Sequence, residues 1–132
     1  MTLVDGEGTP LGATIASASP AEVTLIEPLL EQRIVRRRPN RLIYDKAADS
    51  DALRRRLARR GIELICPHST NRKRPPLQDG RSLRRYRRRW KVERSIAWLG
   101  NFRRVVVRYE RHAALFRGFV HLACLFTILH RF

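Results

Sequence analysis

A chain of 132 residues, 43% of them hydrophobic, has the length and the apolar content of one domain. Its two cysteines exclude a disulfide-rich scaffold and fit a reducing compartment, and its first residues lack the basic and apolar stretches of a signal peptide. The formal net charge of +16 rises to +20 over residues 31–132, which hold 28 basic and eight acidic residues, and this favours a polyanionic partner such as nucleic acid, with a coding bias toward arginine as the alternative.

Residues 1–30 form the first predicted unit, a hairpin followed by a helix. Thr2 to Val4 and Leu11 to Ile15 have the composition of two short strands, and the Asp-Gly turn at Asp5 joins them. Ser19 is the expected N-cap of a helix that ends near residue 30. Asp5 is interpreted as a turn residue, because Asp-Gly favours such turns.

Residues 41–67 form the second predicted unit, which runs strand, helix, strand. An apolar strand at residues 41–44 leads into Asp45, polar caps at residues 49–51 begin a helix, and Gly61 ends it. A short strand at residues 62–66 closes the unit. Because strands and helices alternate, we expect an α/β fold with helices packed on one sheet.

Residues 82–132 form the third predicted unit, a basic helix followed by C-terminal helices. The basic helix is expected from Ser82 to Leu99, with Val92, Ile96 and Leu99 as its apolar stripe. The last helix is expected over residues 113–129. Charged and polar residues interrupt it and it is too short for a membrane span, so no membrane partner is expected.

Two acids are candidates for chemistry. Asp45 follows a predicted buried strand, where α/β proteins often place functional groups, although a helix cap is the alternative. Glu93 is one of two acids among twelve basic residues between Arg81 and Arg111, although an ion pair with Arg89 is the alternative. A carboxylate that faces a polyanion needs a cation between them, so a divalent metal and phosphodiester cleavage are indicated.

Tyr86, Arg89 and Glu93 have the spacing i, i+3 and i+7, which places them on one face of a helix. Tyr86-x2-Arg89-x3-Glu93 resembles the C-terminal signature of DDE-type insertion-sequence transposases. Asp45-Lys-Ala-Ala-Asp-Ser-Asp resembles the family's motif around its second catalytic Asp. The resemblance covers essentially the whole chain.

The resemblance implies a ribonuclease H-like catalytic core that acts on DNA. Asp45 and Glu93 would be two of three carboxylates that hold a pair of Mg²⁺ or Mn²⁺ ions for cleavage and strand transfer. The DNA would be the ends of an insertion sequence and its target. The expected DNA-binding residues lie in the basic clusters and are Tyr86, Arg89, Arg85, Arg88, Lys91, Arg94, Arg72, Lys73, Arg74, Arg103 and Arg104.

The chain departs from the family pattern in three places. Gly100 stands where the family has a Lys, so that contact is either absent or supplied by Arg103 or Arg104, and Ala48 stands where the family has an aromatic residue. The family's first catalytic Asp lies on a strand before the hairpin, and the chain starts at the hairpin.

We therefore expect residues 1–132 to be the C-terminal part of an incomplete catalytic core in the bacterial cytoplasm, associated with the nucleoid. An upstream half or self-association would complete it. A non-catalytic DNA-binding fragment, either a regulator or a remnant, is the alternative, and a basic RNA-binding protein is a third interpretation.

Overall fold

Short strands alternate with helices in the first half of the chain, and helices alone make up the second half. A computed structural model describes residues 1–78 and 80–130. The strands are β1 (Thr2–Val4), β2 (Pro10–Ala13), β3 (Arg41–Ile43) and β4 (Glu63–Ile65). The helices are α1 (Glu22–Glu31), α2 (Asp51–Arg59), α3 (Gly80–Leu83), α4 (Trp90–Leu99), α5 (Arg103–Val106) and α6 (Ala113–Leu129), and two 3₁₀ helices span Lys46–Ala48 and Arg84–Arg89.

The strands form two separate pairs. β1 and β2 are antiparallel, with Leu3 opposite Gly12, and β3 and β4 are parallel, with Leu42 opposite Leu64. The α/β composition that the sequence predicts is confirmed. The single expected sheet is not present, because among the described residues no strand joins one pair to the other.

The hairpin turn between β1 and β2 is held by Asp5. Its carboxylate accepts the backbone N–H groups of Glu7 and Thr9, each at 2.8 Å. Gly8 has a φ of 85°, a conformation that glycine adopts without steric cost. The structure therefore confirms Asp5 as a turn residue.

One hydrophobic core connects both strand pairs. Leu30 from α1, Leu53 from α2 and Leu42 from β3 are buried in it, and Leu3 of β1 packs against the same cluster. The two pairs of strands thus lie around a common core although no ladder joins them.

A second core holds the C-terminal helices against the hairpin. Ala13 of β2, Leu99 of α4 and Val120 of α6 are buried together. His121 Nε2 lies 3.1 Å from the backbone oxygen of Ala13, which ties α6 to β2. This packing fixes the end of α4 and hence the position of its first turn.

Three details differ from the sequence-based expectations. Helix α1 is preceded by Ala21 in an extended conformation with no side-chain cap, so the N-cap expected at Ser19 is wrong. The helix expected over residues 82–99 is divided into α3, a 3₁₀ helix and α4. The 3₁₀ segment has five arginines among its six residues and therefore no pair of opposite charges at i, i+4 spacing. Because such pairs stabilise α-helices, this segment lacks their support for continuing as an α-helix.

The third difference concerns the buried side of α4. Ser95 and Leu99 are buried, whereas Ile96 is 54% exposed. The Ser95 hydroxyl donates to the backbone oxygen of Gly8 in the hairpin turn. The inner side of α4 is therefore set by its contact with the hairpin, and the expected stripe through Ile96 is wrong.

Among the helices of residues 1–78 and 80–130, none has both the length and the hydropathy of a membrane span.

Candidate active site

Asp45 lies two residues after the end of β3 and is the N-cap of the 3₁₀ helix Lys46–Ala48. One carboxylate oxygen accepts the Ala47 backbone N–H at 2.9 Å and so caps this short helix. The other oxygen lies 3.4 Å from Nη2 of Arg89. The cap interpretation of Asp45 is therefore confirmed, whereas its functional interpretation stays a prediction that involves the oxygen facing Arg89.

Glu93 lies in the first turn of α4, and its Oε1 is 3.1 Å from Nη1 of Arg89. The predicted ion pair is thus present. The same guanidinium contacts both Glu93 and Asp45, so two acids that are far apart in the sequence meet at one cation. The side chains remain accessible, at 32% exposure for Asp45 and 59% for Glu93.

The acid pair has the donor chemistry of a magnesium or manganese site. Mg²⁺ is often bound by one or two carboxylates, with water and substrate phosphate as further ligands. Within the described ranges, no group of three or more His, Cys, Asp or Glu side chains is placed to hold a metal. Asp45 and Glu93 therefore fit a divalent ion as a partial ligand set.

Tyr86 and Arg89 lie three residues apart in the 3₁₀ helix Arg84–Arg89. With three residues per turn, side chains at i and i+3 lie on the same side, so the spacing places Tyr86 one turn from Arg89 on the side that carries the acid pair. The three-residue spacing therefore still aligns Tyr86 with Arg89, and the expected contact of Tyr86 with DNA stays a prediction.

Four arginine side chains line an open cleft of about 390 Å³ on this basic segment: Arg81, Arg84, Arg85 and Arg88. Arg85 and Arg88 were expected to bind DNA. Arg81 and Arg84 were not among the expected residues. Arg81 lies three residues before Arg84 and four before Arg85, and Arg84 lies four before Arg88, so helical spacing could have indicated that these side chains are neighbours. Such a concentration of guanidinium groups suits phosphate contacts.

Lys91 and Arg94 face the hairpin. Lys91 Nζ lies 3.2 Å from Oε2 of Glu7, and its side chain is 19% exposed. Arg94 lies over the rings of Trp90 and Trp98, at 4.8 and 5.0 Å, and donates to the backbone oxygen of Glu7. Both cations are used within the protein, and their expected contact with DNA stays a prediction.

Arg103 and Arg104 lie on α5 after the break at Gly100. Arg103 lies 5.9 Å from the ring of Tyr109, and Arg104 forms a 2.7 Å ion pair with Glu110. Within residues 1–78 and 80–130, neither arginine forms an ion pair with Asp45 or Glu93. Their expected role in place of the missing Lys stays a prediction.

Asp49 is a buried acid that sequence reasoning treated only as a cap. Its side chain is 2% exposed and lies 3.1 Å from Arg54, 3.0 Å from Nδ1 of His68 and 3.3 Å from Arg72. Burial raises the pKa of this carboxyl, but hydrogen bonds from the Ser69 backbone N–H, His68 and Arg54 outweigh it and lower the pKa to about 2. Asp49 is therefore a charged structural centre.

Asp49 and Asp51 hold the basic loop of residues 67–78 against α2. Arg72 contacts both acids, at 2.9 Å from Oδ1 of Asp51, and its side chain is 11% exposed. Arg74 is 76% exposed, and Lys73 is exposed as well. Arg72 thus serves the fold, Arg74 is exposed while its Nη1 lies 3.4 Å from Oδ2 of Asp51, and the expected DNA contacts of all three basic residues stay predictions.

The surroundings of Tyr44 and Cys66 also shift their pKa values. Burial and the nearby Glu22 carboxylate raise the pKa of Tyr44, whose hydroxyl lies 3.1 Å from Glu22. Burial raises the pKa of the Cys66 thiol to about 11. Cys66 therefore stays a neutral core residue, because nucleophilic cysteines need a lowered pKa.

Two carboxylates, Asp45 after β3 and Glu93 in the first turn of α4, thus lie beside a dense arginine cluster, and such a cluster suits contact with a nucleic-acid backbone. The chain belongs to the transposase DDE domain family, whose sequence model matches residues 1–128. This confirms the resemblance seen in the DDE signature motifs. Members of the family carry out DNA transposition by nucleotidyl transfer, generally use divalent metal ions and have ribonuclease H-like catalytic domains.

The chain is 38% identical over 130 residues to a Burkholderia cepacia protein named "Putative transposase for insertion sequence element IS402". The match includes 92% of this chain and 58% of the relative, so the chain spans little more than half of the relative's length. No solved structure matches the chain.

Proposed function

We propose that this chain supplies two of the catalytic carboxylates of a DDE transposase and binds the DNA strand on which they act. The reaction is metal-dependent phosphodiester cleavage and strand transfer at insertion-sequence ends. The observation that carries the proposal is the meeting of Asp45 and Glu93 at the Arg89 guanidinium, with distances of 3.4 and 3.1 Å. The acids approach each other from different elements, as a shared site requires.

Each group has a separate task. Asp45 and Glu93 hold the divalent ions, Mg²⁺ or Mn²⁺, with two ions in the completed site. When bound, such ions supply the positive charge that stabilises the attacking and leaving oxygens of an in-line displacement. Tyr86, Arg89 and the arginine-lined cleft hold the phosphate backbone, since guanidinium groups contact phosphates in a bidentate way.

The separated strand pairs support completion by an upstream segment that carries the first acid. The N-terminal amino group of Met1 donates to the backbone oxygen of Thr14, and the N–H of Thr14 donates to the oxygen of Met1. Because successive residues of a strand direct their backbone groups to opposite sides, the N–H and C=O of Thr2 point away from β2. The backbone N–H of Tyr44 donates to the backbone oxygen of Ile65. For the same reason, the backbone N–H and C=O of Ile43 point away from β4.

β1 and β3 also contribute to one core, through Leu3 and Leu42. A further strand between them would satisfy both outer edges and join the pairs into one ribonuclease H-like sheet. We therefore propose an upstream transposase half, or self-association, as the partner, with action on chromosomal DNA in the bacterial nucleoid.

A chimera tests the proposal. This chain replaces the matched region of the Burkholderia cepacia relative, and the purified chimera is incubated with the terminal DNA of that relative's element and Mg²⁺. We expect strand cleavage that Asp45→Asn and Glu93→Gln each reduce by about 10³-fold or more, as for loss of a group that acts in the transition state. Arg87→Gln is the matched control, because Arg87 is exposed and lies outside the site. Cleavage that survives Glu93→Gln would refute the proposal.

A second candidate function is DNA binding without cleavage, as a regulator or remnant. The net charge of +20 over residues 31–132 favours it, and so do the outer edges of β1 and β3, which have no strand partner among residues 1–78 and 80–130. It predicts that the 132-residue chain binds duplex DNA, and that neither this chain nor the chimera cleaves it. Mg²⁺-dependent cleavage by the chimera would exclude this alternative.

A further inference from the structure

We infer that Arg89 occupies the cation position between Asp45 and Glu93 until a DNA phosphate draws it away, so that metal binding and DNA binding promote each other. The inference rests on the proposed function, because it concerns the same acid pair. It adds a specific role to Arg89, which is to keep metal and DNA binding coupled.

The geometry provides the first step. Arg89 directs Nη2 to Asp45 and Nη1 to Glu93, so the two ends of one planar guanidinium are each matched to a carboxylate. A divalent ion shared by these carboxylates would need the same space and the same negative charges. Arg89 and the metal therefore compete for one position.

The surroundings provide the second step. The Arg89 side chain is 34% exposed, so it has a route to solvent. It belongs to the same 3₁₀ helix as Arg84, Arg85 and Arg88, which line the arginine cleft. A phosphate bound at this helix would lie within reach of the Arg89 side chain, which is partly exposed. Guanidinium forms bidentate pairs with phosphate as it does with carboxylate.

The coupling follows from the exchange. When a phosphate binds Arg89, both carboxylates lose their cation, and the uncompensated negative charge raises their affinity for a divalent ion. By linkage, an ion bound to the acids releases Arg89 and raises the affinity for phosphate by the same factor. The acids are thus neutralised in the free protein and become available when DNA arrives.

The test measures Mn²⁺ binding by the full 132-residue chain, with electron paramagnetic resonance reporting the free ion. We expect Arg89→Gln to bind Mn²⁺ at least ~5-fold more tightly than the unaltered chain, the lower end of typical coupling between sites. Arg87→Gln removes one positive charge from the same helix without touching the acid pair, and we expect less than a ~2-fold change. The gain must vanish in the double variant Asp45→Asn/Arg89→Gln.

A second arm adds a short DNA duplex. Mn²⁺ bound to the DNA itself is removed by subtracting the signal of Asp45→Asn with the same duplex. We expect DNA to raise the remaining, acid-dependent Mn²⁺ affinity of the unaltered chain and to leave that of Arg89→Gln unchanged.

The outcomes separate the inference from the proposed function. Equal Mn²⁺ affinity in Arg89→Gln and Arg87→Gln, with binding still lost in Asp45→Asn, would overturn the exchange and leave the metal site standing. Weaker Mn²⁺ binding in Arg89→Gln would overturn it too, since Arg89 would then support the site. Mn²⁺ binding that is independent of Asp45 in every variant would overturn both the inference and the metal part of the proposed function.

Discussion

At the scale of single residues, the candidate site depends on how individual polar atoms are divided between fold and chemistry. Asp45 uses one oxygen to cap a 3₁₀ helix and the other to face Arg89. Asp49, four residues later, uses both oxygens for the fold and is nearly inaccessible. Neighbouring acids of one sequence motif thus have different roles because their exposure differs.

Two substitutions of Asp45 separate these roles. Asparagine keeps a cap oxygen, so Asp45→Asn should change the free energy of unfolding by less than ~0.5 kcal/mol, whereas Asp45→Ala should cost about 1 kcal/mol. Urea denaturation of the purified chain measures both. Equal destabilisation by the two variants would show that the charge facing Arg89, and not the cap, stabilises this region.

Asp49 predicts an acid-sensitive stability. Its folded-state pKa of about 2 lies below the ordinary value of 3.8, so its contribution is complete above the ordinary value and is lost as the pH falls toward 2. The loss should be about 2 kcal/mol, because one pKa unit corresponds to roughly 1.4 kcal/mol. Urea midpoints between pH 5 and pH 2 measure it. Asp49→Asn should have a flatter profile, and an unchanged slope would contradict the role given to Asp49.

At the scale of elements, local signals placed most helix ends correctly, and tertiary contacts moved the others. Ser50 accepts the Leu53 N–H as the predicted cap of α2, and α6 spans the predicted residues 113–129. The N-cap of α1 and the division of residues 80–99 were missed. The division of residues 80–99 goes with the contact of α4 with the hairpin and with repulsion within the arginine run, which residue propensities do not include.

Gly61, just after the C-cap of α2, provides a test at this scale. Its φ of +74° is costly for any residue with a Cβ, so Gly61→Ala should destabilise the chain by about 1 kcal/mol. Gly6→Ala is the matched control, because Gly6 lies in a turn with open space around its Cβ position and without a positive φ. Thermal unfolding of both variants measures the difference. A loss as large in Gly6→Ala would indicate a general effect of alanine in turns.

At the scale of the whole molecule, the charge of the chain is divided between two uses. Lys91, Arg94 and Arg72 contact acids, rings or backbone oxygens of the protein. Arg85 and Arg88 line an open cleft. Part of the positive charge therefore holds the hairpin and the loop of residues 67–78, and the expected DNA contacts of these residues stay predictions.

DNA affinity as a function of salt concentration tests this division. The binding constant for a DNA duplex falls with salt, and each lost phosphate contact makes the slope of log K against log salt concentration less steep by about 0.9. The double variant Arg85→Gln/Arg88→Gln should therefore reduce the steepness by nearly 2. Lys91→Gln should leave the slope almost unchanged, because Lys91 faces Glu7. Fluorescence anisotropy at several salt concentrations measures the slopes. A change of a full unit in the slope for Lys91→Gln would show that Lys91 contacts DNA.

The sequence alone was sufficient to predict the α/β class, the transposase family, the two acids to examine and the basic partner surface. The class, the acids and the basic surface follow from residue type, spacing and net charge, whereas the family came from the resemblance of the Asp45 and Tyr86–Glu93 motifs to a known signature; none of these depends on distant contacts. Only the tertiary structure brought Asp45 and Glu93 to the same guanidinium and buried Asp49 under the loop of residues 67–78. It also turned Lys91 toward the hairpin and separated the strands into two pairs. Such facts depend on which elements pack together in space, and local sequence patterns carry little information about that.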